Sequence, residues 1–148
     1  MIAAVRTLLL ALVLLLPGAA RAADAVLPAD AVLPGDAAAI EQVIRGQMDA
    51  FGRDDAAGAY RFAAPNVHQV FPTADGFMAM VRGSYAPVYR PRSVIFGSLT
   101  APDGVVAQEV DLTGPDGRAV TATYTLERGP EGWVITGCSL QPSVRAST

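Results

Sequence analysis

The sequence has 148 residues, 51% of them hydrophobic, and its 11 arginines oppose 14 acidic residues for a net charge of -3. This length is typical of one domain, and the acidic balance argues against a surface that binds nucleic acid or an anionic membrane, because such a surface needs clustered basic charge. The single cysteine, Cys138, excludes an intramolecular disulfide, so packing must stabilise the fold.

Residues 1–22 have the pattern of a secretory signal peptide. Arg6 supplies the basic start, residues 8–16 supply an apolar core, and Ala20 and Ala22 form a small-x-small cleavage motif. The apolar core is shorter than the roughly 20 residues of a membrane-spanning helix, and no cysteine follows it to carry a lipid. We therefore expect cleavage after Ala22 and export to the periplasm or beyond, with no stable membrane anchor. The mature chain would hold nine arginines against 14 acidic residues, a net charge of -5.

A short repeat follows this leader, with DAVLPA at residues 24–29 and DAVLPG at residues 30–35. Each proline disfavours the helical conformation of the leucine before it, so we predict an extended, flexible tether over residues 23–36. One domain is predicted over residues 37–142, and a disordered tail over residues 143–148.

An amphipathic helix is predicted from Asp36, its N-cap, to Phe51, with Gly52 as its stop. Five apolar residues recur at the spacing of one buried helical face: Ile40, Val43, Ile44, Met48 and Phe51. Glu41 and Arg45 are placed one turn apart for an ion pair on the opposite face.

Two shorter helices are predicted after it, over residues 54–63 and 72–83. Pro65 should end the first of them and Gly83 the second. The apolar residues 66–71 between them are predicted to form a corner or a short strand.

From Ser93 onward the hydrophobic period changes from 3.6 to 2, which indicates strands. Four strands are predicted, over residues 94–99, 106–112, 120–126 and 133–140. Short turns rich in glycine and proline connect the last three, so the sheet should be an antiparallel meander. The predicted fold is α+β, with three N-terminal helices packed on one face of a curved antiparallel sheet of four strands or slightly more.

Three segments resemble one bacterial family: IEQVIRGQMDAFGRDDAAGAYRFAAP at 40–65, FMAMVRGSYAPVYRP at 77–91 and GWVITGCSL at 132–140. They look like the family called domain of unknown function 4864, over about residues 40–140. That family has no established activity, so the resemblance implies no catalytic set. It also implies that a Gln-like residue commonly stands where this chain has His68, which argues against an obligatory base there.

The order of helices and strands is similar to that of the nuclear transport factor 2-like superfamily, a cone-shaped α+β fold. The resemblance implies a pocket between the first helix, the apolar corner and the concave face of the sheet. Members of that superfamily include ketosteroid isomerases, polyketide cyclases, dehydratases and domains that only bind. Fold alone therefore does not fix the function.

Polar side chains that could face such a pocket are the candidate ligand-binding residues, namely Tyr60, His68, Tyr85, Tyr89 and Gln108. Gln108 shares a strand face with valines, so it either anchors a ligand or is hydrogen-bonded inside the protein, and we favour the second interpretation. The tyrosines either line the mouth of a pocket or pack in the core. His68 is the candidate general base if the protein is an enzyme, because an unperturbed imidazole changes its charge near neutral pH.

The sequence predicts no metal site and no cofactor, because one histidine, one cysteine and scattered carboxylates do not form a ligand pattern. The first functional hypothesis is a noncatalytic exported module that binds a small apolar or amphipathic molecule or a protein partner. The first alternative is an isomerase-, cyclase- or dehydratase-like enzyme with a base in the cone. The second is a homodimeric assembly module that uses a row of threonines on the outer face of the sheet, Thr121, Thr123 and Thr125.

Overall fold

The computed structural model of the protein describes residues 32–144, which form helices and an antiparallel sheet. The helices are α1 (Asp36–Gly52), α2 (Ala56–Tyr60), α3 (Pro65–Val70), α4 (Ala74–Ser84) and α5 (Ala86–Tyr89). The strands are β1 (Ser93–Thr100), β2 (Val106–Thr113), β3 (Ala119–Gly129) and β4 (Gly132–Pro142), with a short 3-10 turn between β1 and β2. The predicted signal peptide, most of the predicted tether and residues 145–148 of the predicted tail lie outside the described residues.

The four strands form one sheet in the order β1-β2-β3-β4, and every neighbouring pair is antiparallel. This confirms the prediction of an α+β domain with a four-stranded antiparallel sheet. Alternate residues of β2 and β3 are buried against the helices, as the period of two requires. The pairing is interrupted twice, between Phe96 and Leu99 in β1 and between Thr125 and Leu126 in β3. Such bulges bend a strand and increase its twist.

Helix α1 lies against the sheet through the face that its sequence predicts. Ile40, Ile44 and Phe51 are almost fully buried, and burial of each such side chain stabilises the fold by about 1.5–3 kcal/mol. Glu41 and Arg45 form the predicted ion pair on the opposite face, with 2.9 Å between Nε and Oε1. Within residues 32–144, no helix combines the length and the apolar character needed to cross a bilayer.

The start of α1 differs from the prediction, because Gly35 rather than Asp36 occupies the N-cap, with φ of 96°. The carboxylate of Asp36 instead accepts hydrogen bonds from the Leu33 amide, the Arg128 guanidinium and the indole N–H of Trp133. The hydrogen bond from Leu33, with smaller contributions from Trp133 and Arg128, lowers the pKa of Asp36 below its usual value. Asp36 therefore joins the first turn of α1 to the β3–β4 hairpin.

The prediction of three helices is wrong, since five helices, α1 to α5, precede the sheet within residues 32–144. The segment after α2 leaves the helix at Tyr60 and not at Ala63, because residues 62–64 pair with β4. The amide of Ala64 donates to the carbonyl of Ile135, and the amide of Ile135 donates to the carbonyl of Phe62, each at 2.8 Å. Pro65 then starts α3, since its fixed φ suits the first helical position, so the predicted corner or strand is helical.

Candidate functional site

An apolar cavity of about 250 Å³ lies between α1, the α3–α4 region and the middle of β3 and β4. Its walls come from five helices or their junctions and from the sheet, and its principal apolar side chains are Phe51, Val67, Phe71, Phe77, Met80, Val81, Val88 and Ile135. No charged side chain of the described residues lines it. Val70 of α3 lines the cavity and is 70% exposed, so α3 borders its mouth.

The sequence of α4 explains how one wall of the cavity is built. Thr73 caps this helix, because its Oγ1 accepts a hydrogen bond from the amide of Gly76 at 3.1 Å. Phe77, Met80 and Val81 then fall three and four residues apart on one face, as predicted. The ring of Phe77 lies 6.0 Å from the ring of Phe51, so α1 and α4 meet through aromatic contacts at the cavity.

Polar side chains in the cavity wall hold the surrounding elements together. The Tyr85 hydroxyl donates to the carbonyl of Cys138 at 3.1 Å, and the Asn66 amide donates to the carbonyl of Thr136 at 2.9 Å. The Gln47 amide donates to the carbonyl of Ala59 at 3.3 Å. These bonds connect the helices to β4 and to one another around the void.

The Tyr124 hydroxyl is the exception in this wall. It is buried and has no hydrogen-bond partner among the described residues, and a buried polar group in that state costs about 1–3 kcal/mol. Tyr124 is the cross-strand neighbour of Cys138, and its hydroxyl lies close enough to the Cys138 thiol for each group to shift the pKa of the other. The two groups do not have the geometry of a regular hydrogen bond, so the contact is at most a weak one.

Burial also favours the protonated forms of the Tyr124 hydroxyl and the Cys138 thiol. Burial, and to a smaller degree the nearby Cys138 thiol, raises the pKa of Tyr124 well above its usual value. Burial likewise raises the pKa of the Cys138 thiol to about 12. Both groups are therefore protonated near neutral pH, and Cys138 is a poor nucleophile because the thiolate is the reactive form.

The predicted site residues are divided among four places, and only Tyr85 of these five residues lines the cavity. Gln108 is buried on the inner face of β2, but its amide donates to the carbonyls of Gly97 at 3.1 Å and Glu109 at 2.8 Å. Gln108 thus holds the bulge of β1, in agreement with the interpretation that we favoured.

Tyr60 and His68 form a pair beside α3. Their rings stack with centroids 4.0 Å apart, the Tyr60 hydroxyl donates to the carbonyl of Phe71, and Nε2 of His68 lies 3.0 Å from the carbonyl of Tyr60. Neither residue lines the cavity. Their contacts fasten α2 to α3.

Tyr89 belongs to a polar cluster on another face of the domain, together with Asp54, Arg82 and Arg90. The carboxylate of Asp54 accepts hydrogen bonds from the Tyr89 hydroxyl, from Arg82 at 3.1 Å and from Arg90 at 3.0 Å. The hydrogen bond from Tyr89, followed by the hydrogen bond from Arg82 and the positive charges of Arg90 and Arg82, lowers the pKa of Asp54. Arg90 also donates to the carbonyl of Gly52 at 2.6 Å, so the cluster ties the end of α1 to α4 and α5.

A model of the family described as a domain of unknown function (DUF4864) matches residues 34–148. The chain belongs to this family. The match spans every helix and strand of the DUF4864 domain described above, and it confirms the family resemblance seen in the sequence. The chain matches no curated protein and no solved structure. Within residues 32–144 of the DUF4864 domain, no three histidine, cysteine or carboxylate side chains converge to hold a metal ion.

Proposed function

We propose that this domain is an exported, noncatalytic binding module whose ligand is a small apolar or amphipathic molecule held in the cavity. The observation that carries the proposal is a void of about 250 Å³ with an apolar, uncharged wall. An apolar cavity of about 150 Å³ can bind benzene, so this cavity has room for a somewhat larger molecule. The leader pattern of residues 1–22 supports export.

The same arrangement supports a nuclear transport factor 2-like cone as the fold of this domain. Helices pack on one face of an antiparallel sheet, and the cavity lies between α1, α3 and that face. The exposed Val70 at the edge of the cavity supports a mouth of this pocket beside α3. Instead of a small molecule, such a mouth also admits an apolar side chain of a protein partner.

The two alternative functions have less support. His68 lies outside the cavity, and its Nε2 faces the backbone carbonyl of Tyr60, an arrangement that serves packing better than proton transfer to a ligand. On the outer face of the sheet, the Thr121 hydroxyl donates to the carboxylate of Asp111 at 2.7 Å, and the Thr125 hydroxyl accepts from the Thr136 hydroxyl at 2.8 Å. Two of the three threonines are thus engaged within their own sheet.

Native mass spectrometry of the protein purified gently from its own host tests the proposal. We expect a chain that begins at Ala23 and carries a small molecule of constant mass. A Val67→Trp variant, which places an indole in the cavity, should be empty. The matched control Val105→Trp, at an exposed residue outside the cavity, should keep the ligand.

The His68→Gln variant separates binding from catalysis in the same measurement. The proposal expects this variant to carry the same small molecule as the wild-type protein. An empty wild-type protein, or a ligand that persists in Val67→Trp, would contradict binding in this cavity. A bound molecule that changes its mass only when His68 is replaced would favour the enzyme instead.

A further inference from the structure

Tyr124 carries the one polar side-chain atom of the described cavity wall that is buried without a hydrogen-bond partner. Its side chain is 1% exposed and points from the inner face of β3, in line with the buried Ala122 and Leu126. Buried hydroxyl groups in folded proteins nearly always have a partner, so an unpartnered one in a cavity wall indicates a place for a missing acceptor.

Three other polar side chains of the wall are hydrogen-bonded inside the protein. Tyr85, Asn66 and Gln47 each donate to a backbone carbonyl, and those bonds join the elements around the cavity. A ligand that took over one of these bonded N–H or O–H groups would have to break a bond that holds the wall. The Tyr124 hydroxyl has no regular hydrogen bond to lose, and only its weak contact with the Cys138 thiol must be given up.

The charge of the wall limits what the acceptor can be. No charged side chain of the described residues lines the cavity, so a carboxylate or phosphate would lose its hydration there without gaining an opposite charge. Burial keeps the Tyr124 hydroxyl protonated, so it can donate a hydrogen bond. These two properties favour an uncharged acceptor.

We propose that the ligand of this cavity is an uncharged molecule with an apolar body and one carbonyl oxygen, which accepts a hydrogen bond from the Tyr124 hydroxyl. The inference rests on the proposed function, because it assigns the chemistry of the ligand that the cavity would hold. The hydroxyl is covered in this structure and the Cys138 side chain lies beside it, so the carbonyl reaches it once Cys138 turns aside. A thiol is at most a weak hydrogen-bonding group, so its contact with the hydroxyl is easily exchanged for a hydrogen bond to a carbonyl oxygen.

Three probes of nearly the same shape test this inference: acetophenone, cumene and benzoate. Acetophenone carries the carbonyl, cumene replaces it with a hydrocarbon branch, and benzoate replaces it with a carboxylate. Calorimetric titration compares the wild-type protein with the Tyr124→Phe variant, which loses only the hydroxyl. We expect acetophenone to bind Tyr124→Phe about tenfold more weakly, while the affinity for cumene changes by less than about twofold. Benzoate should bind the wild-type protein at least about tenfold more weakly than acetophenone.

The outcomes distinguish the two proposals. If neither acetophenone nor cumene binds the wild-type protein, the binding function itself fails. If both bind, but Tyr124→Phe changes their affinities equally, the assigned hydrogen bond is wrong and the binding function stands. Equal binding of acetophenone and benzoate would overturn the requirement for an uncharged ligand.

An infrared measurement on the wild-type protein does not depend on the folding of a variant. The carbonyl stretching band of bound acetophenone should lie at lower frequency than that of acetophenone in hexane, because a hydrogen bond weakens the carbonyl. An unshifted band would overturn the inference.

Discussion

Asp54 is the residue on which the polar cluster of α4 and α5 depends. Its backbone adopts a left-handed conformation, with φ of 55°, at the turn after α1. Asp and Asn tolerate this conformation better than other residues with side chains. From that position its carboxylate accepts hydrogen bonds from Tyr89, Arg82 and Arg90. A single acidic residue thus fixes how the chain turns from α1 toward α2 and where α5 is held.

The Asp54→Asn variant should be less stable than the wild-type protein near neutral pH, and this difference should become smaller in acid. The pKa of Asp54 is lowered on folding, so its contribution is present above the unfolded value near 3.8 and is lost as the pH falls through the folded value. The effect should be small, because the paired side chains are 45–49% exposed. Urea unfolding at about pH 7 and at about pH 3 measures the difference.

The Tyr89→Phe variant gives an independent check of the same cluster. It removes the hydrogen bond that contributes most to the lowered pKa, so the carboxyl of Asp54 should titrate at higher pH in an NMR experiment. A stability difference between wild type and Asp54→Asn that is the same at both pH values would show that charge is not what Asp54 contributes.

For single side chains of the site, the alternation along a strand predicted which face of the sheet they occupy but not which hydrogen bonds they form. The period of two placed Gln108 and Tyr124 on inner faces, and both are buried. It could not show that the Gln108 amide has three backbone carbonyls within reach while the Tyr124 hydroxyl has no partner in residues 32–144. That difference depends on the β1 bulge and on the strand register, which are properties of paired strands.

At the scale of elements, β1 depends on its neighbour for its shape. The register between β1 and β2 shifts between Phe96 and Leu99, and the amide of Gln108 fills the resulting gap. Sequence patterns locate elements well where the signal is local, as in α1 and β2. They failed at residues 62–70, where pairing of the chain with Ile135 ends α2 early and lets α3 form.

The Gln108→Leu variant should destabilise the protein by about 1–3 kcal/mol, because it leaves the carbonyls of the bulge without a donor. Its affinity for acetophenone should equal that of the wild-type protein, since Gln108 does not line the cavity. Urea unfolding and calorimetric titration measure the two quantities. Gln141→Leu, at an exposed residue of β4, is the matched control and should change stability by less than about 0.5 kcal/mol. Weaker ligand binding with unchanged stability would instead make Gln108 the ligand anchor.

At the scale of the whole molecule, the domain combines a packed half and a hollow half. Ile44 of α1, Val110 of β2 and Ala122 of β3 are fully buried, as expected of a close-packed interior. Beside α4 and the middle of β4, the rings of Phe51, Phe77 and Tyr124 leave the cavity unfilled. A cavity of this size lowers the stability of the fold, because the side chains around it lose packing contacts. Such a cost is consistent with a binding role.

The same substitution made in the two halves should therefore have opposite effects. Val81→Ile adds a methylene group at the cavity wall, and filling part of the void should raise the free energy of unfolding by about 0.5–1 kcal/mol. Val110→Ile adds the same group where the residue is 0% exposed, and overpacking should lower the free energy of unfolding by about 1–3 kcal/mol. Both residue types are β-branched, so backbone propensity changes little in either place.

The affinity for a ligand should change in only one of these two variants. Val81→Ile takes space from the ligand, so acetophenone should bind it several-fold more weakly, whereas Val110→Ile should bind acetophenone as the wild-type protein does. Urea unfolding gives the stabilities and calorimetric titration gives the affinities. If Val81→Ile were destabilised as much as Val110→Ile, the cavity would be filled by its own walls in solution. The space between α1, α4 and the sheet would then hold no ligand, because binding and stability compete for the same volume.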